Sequence, residues 1–186
     1  MASHARTHDY TLRLTAKIHK SPEIALRQMA AGNNAGICCS TLAEAETLVD
    51  EGISGVMLFL PVVAPSKIEP LAALNARADG LIAGVDSAEN AKQLARAARE
   101  YGRAIRLETL TTTSAVVERE SRTRPRPSGW LPRIPEMEGA DFVGLLGYVG
   151  AHQAVASFDE RCAVTLGHAS CIWWSACPPA ALCPRS

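Results

Sequence analysis

The 186-residue chain is poor in aromatic side chains, carries no net charge and has no long apolar run. Its 19 basic and 19 acidic residues cancel, so no field of one sign draws nucleic acid or an anionic bilayer, and neither is expected as a partner. No apolar stretch approaches the roughly 18 residues that a spanning helix needs. The opening residues, MASHARTHDYTLRL, lack the apolar centre of a secretory leader, and a cytoplasmic location is expected. The six cysteines include no C-x-x-C pair. Cys38 and Cys39 close an apolar run, where thiols pack as small hydrophobes. His152, Cys162, His168 and Cys171 match no common zinc spacing, so no metal site is expected. What the chain does have is an ordinary globular balance, 47% hydrophobic and 20% charged, with length enough for one domain and a real core.

Short apolar runs that do not alternate stand at Leu12–Lys17, Ala35–Cys39, Gly55–Leu60, Gly80–Val85 and Ala104–Glu108, as expected of parallel strands covered on both faces. Helical stretches separate them. Ser21-Pro22 places a capping hydroxyl before a first-turn proline. Thr41-x-x-Glu44 and Ser66-x-x-Glu69 read as capping boxes, and Gly32, Gly52 and Gly102 stand where helices should stop. Repeated βα units predict an α/β fold, which either a barrel or a doubly wound sheet would satisfy.

The pattern covers residues 1–109 and then breaks. Residues 110–137 are rich in Thr, Arg, Pro and Ser and carry neither a 2- nor a 3.6-residue apolar period. Order returns over 138–164, where FVGLLGYVGAH reads as a strand and turn, and 165–186 form an irregular tail. All three tryptophans lie in the two irregular segments.

The run with the most chemical content is Lys17–Gln28, KIHKSPEIALRQ. A lone lysine after a strand is ordinarily a surface charge, but a lysine at the C-terminal end of a barrel strand can serve as an amine nucleophile. The Lys-x-His-Lys run, with the two βα turns after it, resembles the fold-type III pyridoxal-phosphate enzymes of the D-threonine aldolase and D-serine dehydratase group. That resemblance implies a partial (β/α)8 barrel of the alanine racemase N-terminal type, incomplete and without the C-terminal β-domain, and lacking the strand and helix that usually precede Arg13. It implies pyridoxal 5′-phosphate as cofactor, attached to Lys17. His19 is the second expected catalytic residue, against the alternative of a packed loop histidine. Where family members carry Arg-Pro-His, this chain has Arg13-Leu14-Thr15, so the family's imidazole is missing.

A second island, Gly144 through Gln153, is similar to the family's G-x-x-x-Tyr-x-Gly-x-x-Gln run. It implies cofactor contacts from Tyr148 and Gln153. The family's Gly-rich phosphate loop finds no counterpart after Arg161, and the ligands of the divalent metal used by relatives find none either. Codons chosen for Leu107–Ile134 and read one nucleotide over encode Asp-Leu-Asp, Gly-Thr-Gly-Val and an Ala-rich helix, as family members have there. Residues 110–137 and the tail are therefore read as translated out of frame. The implied function is a fragment of a D-threonine aldolase-like lyase, which cleaves D-3-hydroxy amino acids to glycine and an aldehyde, with this chain expected to be inactive. The alternatives are a D-serine dehydratase-like lyase and a non-catalytic pyridoxal-phosphate-binding protein. A small-molecule D-amino acid is the expected substrate of any active form. A sheet that cannot close exposes strand edges, which makes a homodimer by edge pairing possible.

Overall fold

Strand order decides between the two candidate architectures. A computed structural model describes residues 2–112, 136–148 and 154–163. Its elements run α1 (Ala2–Thr7), β1 (Leu12–Thr15), α2 (Pro22–Ala30), β2 (Asn34–Cys39), α3 (Leu42–Asp50), β3 (Val56–Leu58), α4 (Pro65–Arg77), β4 (Ile82–Val85), α5 (Ala88–Glu100), β5 (Ile105–Thr112) and β6 (Ala140–Tyr148). The six strands form one sheet in the order β1-β2-β3-β4-β5-β6, and every neighbouring pair is parallel. A doubly wound sheet reverses its order at a switch point. This sheet never reverses, which is the progression of a (β/α)8 barrel and excludes the doubly wound alternative.

Side chains alternate across the sheet. One face, with Ile37, Cys39, Val56, Leu58, Ala83, Val85, Ile105 and Leu107, joins helix residues such as Leu48, Leu71, Leu74 and Leu94 in a single core. The other face carries a row in register: Thr15, Cys38, Met57, Ile82, Arg106 and Asp141. Met57 and Ile82 are 2% and 5% exposed although they stand outside the helix-side core. The guanidinium of Arg13 on β1 acts electrostatically on Glu108 of β5, and its Nη1 donates to the Gly55 carbonyl before β3 at 2.8 Å. Strands that are not neighbours thus reach one another across this face, which is the concave interior of a curled sheet.

The helix boundaries follow local chemistry. Ser21 Oγ accepts the Ile24 N–H and Thr41 Oγ1 accepts the Glu44 N–H, so two expected caps form. The N–H groups of Gly32, Gly52 and Gly102 bond carbonyls in the last turns of α2, α3 and α5, as helix stops do. The Ser66-x-x-Glu69 box does not form. Helix α4 begins at Pro65, with Ala64 at the cap position and no side-chain cap. Proline's fixed φ suits the first helical position, so the helix starts early and Ser66 falls inside it. Ser87 instead caps α5 by accepting the Asn90 N–H, a start the sequence reading passed over.

Helix α1 precedes β1, where no element was expected, and packs through Ala5. Strand β5 runs to Thr112 rather than ending at Glu108, because Thr109–Thr112 pair with Leu145–Tyr148 of β6. β-Branched threonines fit a pleated ladder without an apolar rhythm. The remainder of the segments read as out of frame, residues 113–135 and 165–186, lies outside the described residues.

Pro70 sits inside α4 at an exposed position and offers no N–H to the Ser66 carbonyl. Pro70→Ala is expected to stabilise the chain by about 1–2 kcal/mol, less than the full propensity difference because the native helix already accommodates the ring. A urea melt checks this, and a lowered midpoint would contradict it.

Candidate functional site at the C-terminal rim

In a parallel sheet all strand C-termini share one rim, where barrels place their chemistry. Lys17 lies two residues beyond β1 on that rim. Its side chain is exposed, and its Nζ stands 5.8 Å from the centroid of the Phe59 ring, just past β3. The lysine therefore leans from β1 across β2, over the mouth of the curled sheet. Among the described ion pairs none involves Lys17.

The segment after β1 is a turn and not a continued strand. The Lys20 N–H donates to the Ala16 carbonyl at 2.7 Å and the Lys17 N–H to Thr15 Oγ1 at 3.3 Å. His19 consequently does not share a strand face with Lys17. Its Nδ1 accepts the Ser21 N–H at 3.1 Å, which leaves the proton on Nε2 to face Gln28 Oε1 at 3.2 Å. Lys20 pairs with Glu44 at 3.0 Å.

Glu44 also accepts the Ser40 N–H at 2.9 Å. Burial works to raise its carboxyl pKa, but the Ser40 N–H, the bond and charge of Lys20 and the Thr41 N–H outweigh it and hold the group below the ordinary glutamate range. Cys39, beneath the same rim, is pushed up to about 12 by burial, with Glu44 and Cys38 adding to the effect. It is an inert core thiol, in keeping with its expected packing role.

On the concave face Glu108 stands between Gly84 of β4 and Gly144 of β6 in register. Burial raises its carboxyl above the usual value, and Arg13 offsets only part of this. The folded chain therefore holds the Glu108 proton more tightly than the unfolded chain does. Stability from this group is greatest below the unfolded value and is lost as pH rises through the raised folded one. Glu108→Gln is expected to flatten that loss, with a larger gain in urea midpoint at neutral than at acidic pH. Equal gains at both would show that the carboxyl does not titrate as described.

Tyr148 is the last residue of β6 and pairs with Thr112, so it reaches the same rim from the opposite end of the sheet. Gln153 lies outside the described residues, as do His152, His168 and Cys171. Cys162 is a free thiol, and among the described residues no group of three metal-ligating side chains stands together. No helix of the described residues is long and apolar enough to cross a membrane. Phe59, Glu108 and the Lys20–Glu44 pair were not singled out from the sequence. A strand-end aromatic and a helix-cap glutamate are common, and only the folded turn gives them a shared position.

An unreversed βα sheet with a lysine poised over its rim defines a barrel of the racemase class. Residues 2–109 match the alanine racemase N-terminal domain, and the chain belongs to that family. It is 33% identical over 174 residues to a D-threonine aldolase of Arthrobacter sp., covering 88% of this chain and 42% of that protein. The crystal structure of D-threonine aldolase from Filomicrobium marinum matches with a TM-score of 0.76 and 34% identity, over 88% of this chain and 43% of that one. The D-threo-3-hydroxyaspartate dehydratase from Delftia sp. HT23 matches with a TM-score of 0.68 and 25% identity, over 83% of this chain and 40% of that one. The chain spans about two fifths of the length of the curated relatives it matches.

Proposed function

We propose that this chain is the cofactor-attachment part of a D-threonine aldolase-like lyase, in which Lys17 carries pyridoxal 5′-phosphate. The observation behind the reading is the placement of the Lys17 amine at the strand rim, exposed, without a carboxylate partner among the described ion pairs and directed over the mouth toward Phe59. The residues fit the attachment end of that cofactor, because an aldehyde needs an approachable amine whose charge is not locked in an ion pair. When bound, the cofactor supplies an electron-withdrawing ring that accommodates negative charge developing on the substrate.

The chain's own groups then have distinct tasks. Lys17 attaches the cofactor, and the Phe59 ring steadies the amine from below. Glu108, whose carboxyl pKa is raised by burial, faces the concave side, and Tyr148 and Gln153 are the proposed contacts to the cofactor. His19 transfers a proton only by giving up its bond to Ser21 or to Gln28. No described residue is assigned to the divalent metal. The substrate proposed for the complete enzyme is a D-3-hydroxy amino acid, cleaved to glycine and an aldehyde. The 186 residues alone are proposed not to turn it over, since the sheet of the described residues spans six strands of a barrel. Self-association along a strand edge and a cytoplasmic setting belong to the same proposal. The first is checked by sedimentation at two concentrations.

The dehydratase match favours one second reading, elimination of water in place of carbon–carbon cleavage. A single experiment addresses all of these readings. The chain is incubated with pyridoxal phosphate, reduced with borohydride, digested and mapped by mass, while a parallel sample receives D-threonine. The expected result is one pyridoxyl group on Lys17 and no product. Acetaldehyde release would show that the chain cleaves unaided, 2-oxobutanoate would favour the dehydratase, and an unlabelled Lys17 would overturn the attachment site.

A further inference from the structure

The turn that presents Lys17 is strung between two helices, with little packed beneath it. On one side His19 ties it to α2 through Ser21 and Gln28. On the other, Lys20 Nζ meets Glu44 Oε1 at 3.0 Å. The second carboxylate oxygen, Oε2, is fixed to the Ser40 N–H at the entry to α3. Lys20 has φ +51°, a left-handed backbone that a lysine adopts only where its surroundings hold it there.

Packing holds only the start of the turn, where Ala16 is buried in the core. Ile18, at the tip of the turn, is 90% exposed. Below the turn lies an open cavity of about 220 Å³ lined by Ala16, Lys20, Ala43, Glu44, Thr47 and Leu48. The ion pair crosses this gap. An exposed Lys–Glu pair is ordinarily worth little, but the Glu44 side chain is only 12% exposed and is anchored by backbone. It acts as a fixed post against which Lys20 closes the turn onto the Ala16 carbonyl.

We propose that Glu44 and Lys20 are positioning residues for Lys17: their ion pair spans the cavity under the Ala16–Lys20 turn and keeps the Lys17 amine over the Phe59 ring. This rests on the reading that Lys17 carries the cofactor, but its geometric part stands without any cofactor and is tested so. Glu44→Gln keeps an oxygen for the Ser40 N–H and removes the charge facing Lys20. Lys20→Gly keeps the left-handed turn free of strain, removes the ammonium and leaves α3 untouched.

The full chain and both variants are treated with limiting acetic anhydride, and acetylation of Lys17 is compared by mass with that of Lys67 and Lys92. Amide exchange of Lys20 is followed in parallel. Both variants are expected to change the reactivity of Lys17 relative to the two reference lysines, and to speed exchange of the residue-20 amide, corrected for the intrinsic rate of glycine in Lys20→Gly, by about tenfold, the factor that a charge-assisted bond commands. The urea midpoint serves as the check on global folding. The rate of pyridoxylation at Lys17 is expected to fall severalfold, and Lys20→Arg, which keeps a cation facing Glu44, to retain most of it. Unchanged Lys17 acetylation and Lys20 exchange in folded variants would overturn the positioning role. If those change while wild-type Lys17 never takes the cofactor, the geometric role holds and the cofactor reading fails.

Discussion

Lys17→Met is expected to abolish cofactor fixation altogether, with no pyridoxyl group recovered on any peptide after borohydride reduction at stoichiometric pyridoxal phosphate. The chain has four lysines, Lys17, Lys20, Lys67 and Lys92, and the fold gives each a different setting. Lys20 is held by Glu44, and removing Lys17 does not free it. Lys67 and Lys92 lie on helices α4 and α5 rather than on the turn after β1. Methionine keeps the length of the side chain and its contact with Phe59 while deleting the nucleophile, so stability is expected to stay within about 0.5 kcal/mol, as for other surface changes. The decisive readout is the peptide map. Undiminished label on another lysine would mean that surface amines, and not the rim, capture the aldehyde.

The second large effect concerns the sheet itself. Gly36 has φ +116°, and a Cβ there would stand 2.1 Å from the Gly55 carbonyl oxygen. That oxygen accepts from the Ile37 N–H at 3.3 Å and from Arg13 Nη1 at 2.8 Å. The contact is backbone against backbone, so no side chain can swing aside. Gly36→Ala is expected to cost more than about 3 kcal/mol, from conformational strain together with a displaced β2–β3 start. Gly52→Ala is the matched control. Its φ is +75°, but nothing lies within 4 Å of the added carbon, and a loss of about 1 kcal/mol is expected from the backbone conformation alone. Comparable urea midpoints for the two variants would remove the close approach as the cause.

The regular part of the fold was legible because its signals are local. The apolar runs at Ala35–Cys39, Gly55–Leu60 and Gly80–Val85 became strands at Asn34–Cys39, Val56–Leu58 and Ile82–Val85, the last two buried throughout, and the Ser21 and Thr41 hydroxyls capped the helices they precede. Misreadings arose where two local signals competed, as at Pro65 against Ser66 in α4. They also arose where a partner strand supplied the order, as Leu145–Tyr148 does for Thr109–Thr112. At the candidate site, Lys17 was singled out by its neighbours in the chain. The rest depends on residues far apart in sequence: Phe59 beneath Lys17, Arg13 acting on Glu108 and Glu44 reaching back to Lys20. Each requires the sheet to curl or a turn to close before the two groups meet, and neither event leaves a periodic trace.

The unreversed strand order has a kinetic consequence. Each new strand docks against the one made immediately before it, so every described strand pairing links neighbouring βα units and the mean sequence separation of these pairings stays low for a parallel sheet. Assembly can then proceed in the direction of synthesis, each unit seating on a finished template as it leaves the ribosome. The last strand laid down always presents the surface on which the next would be received.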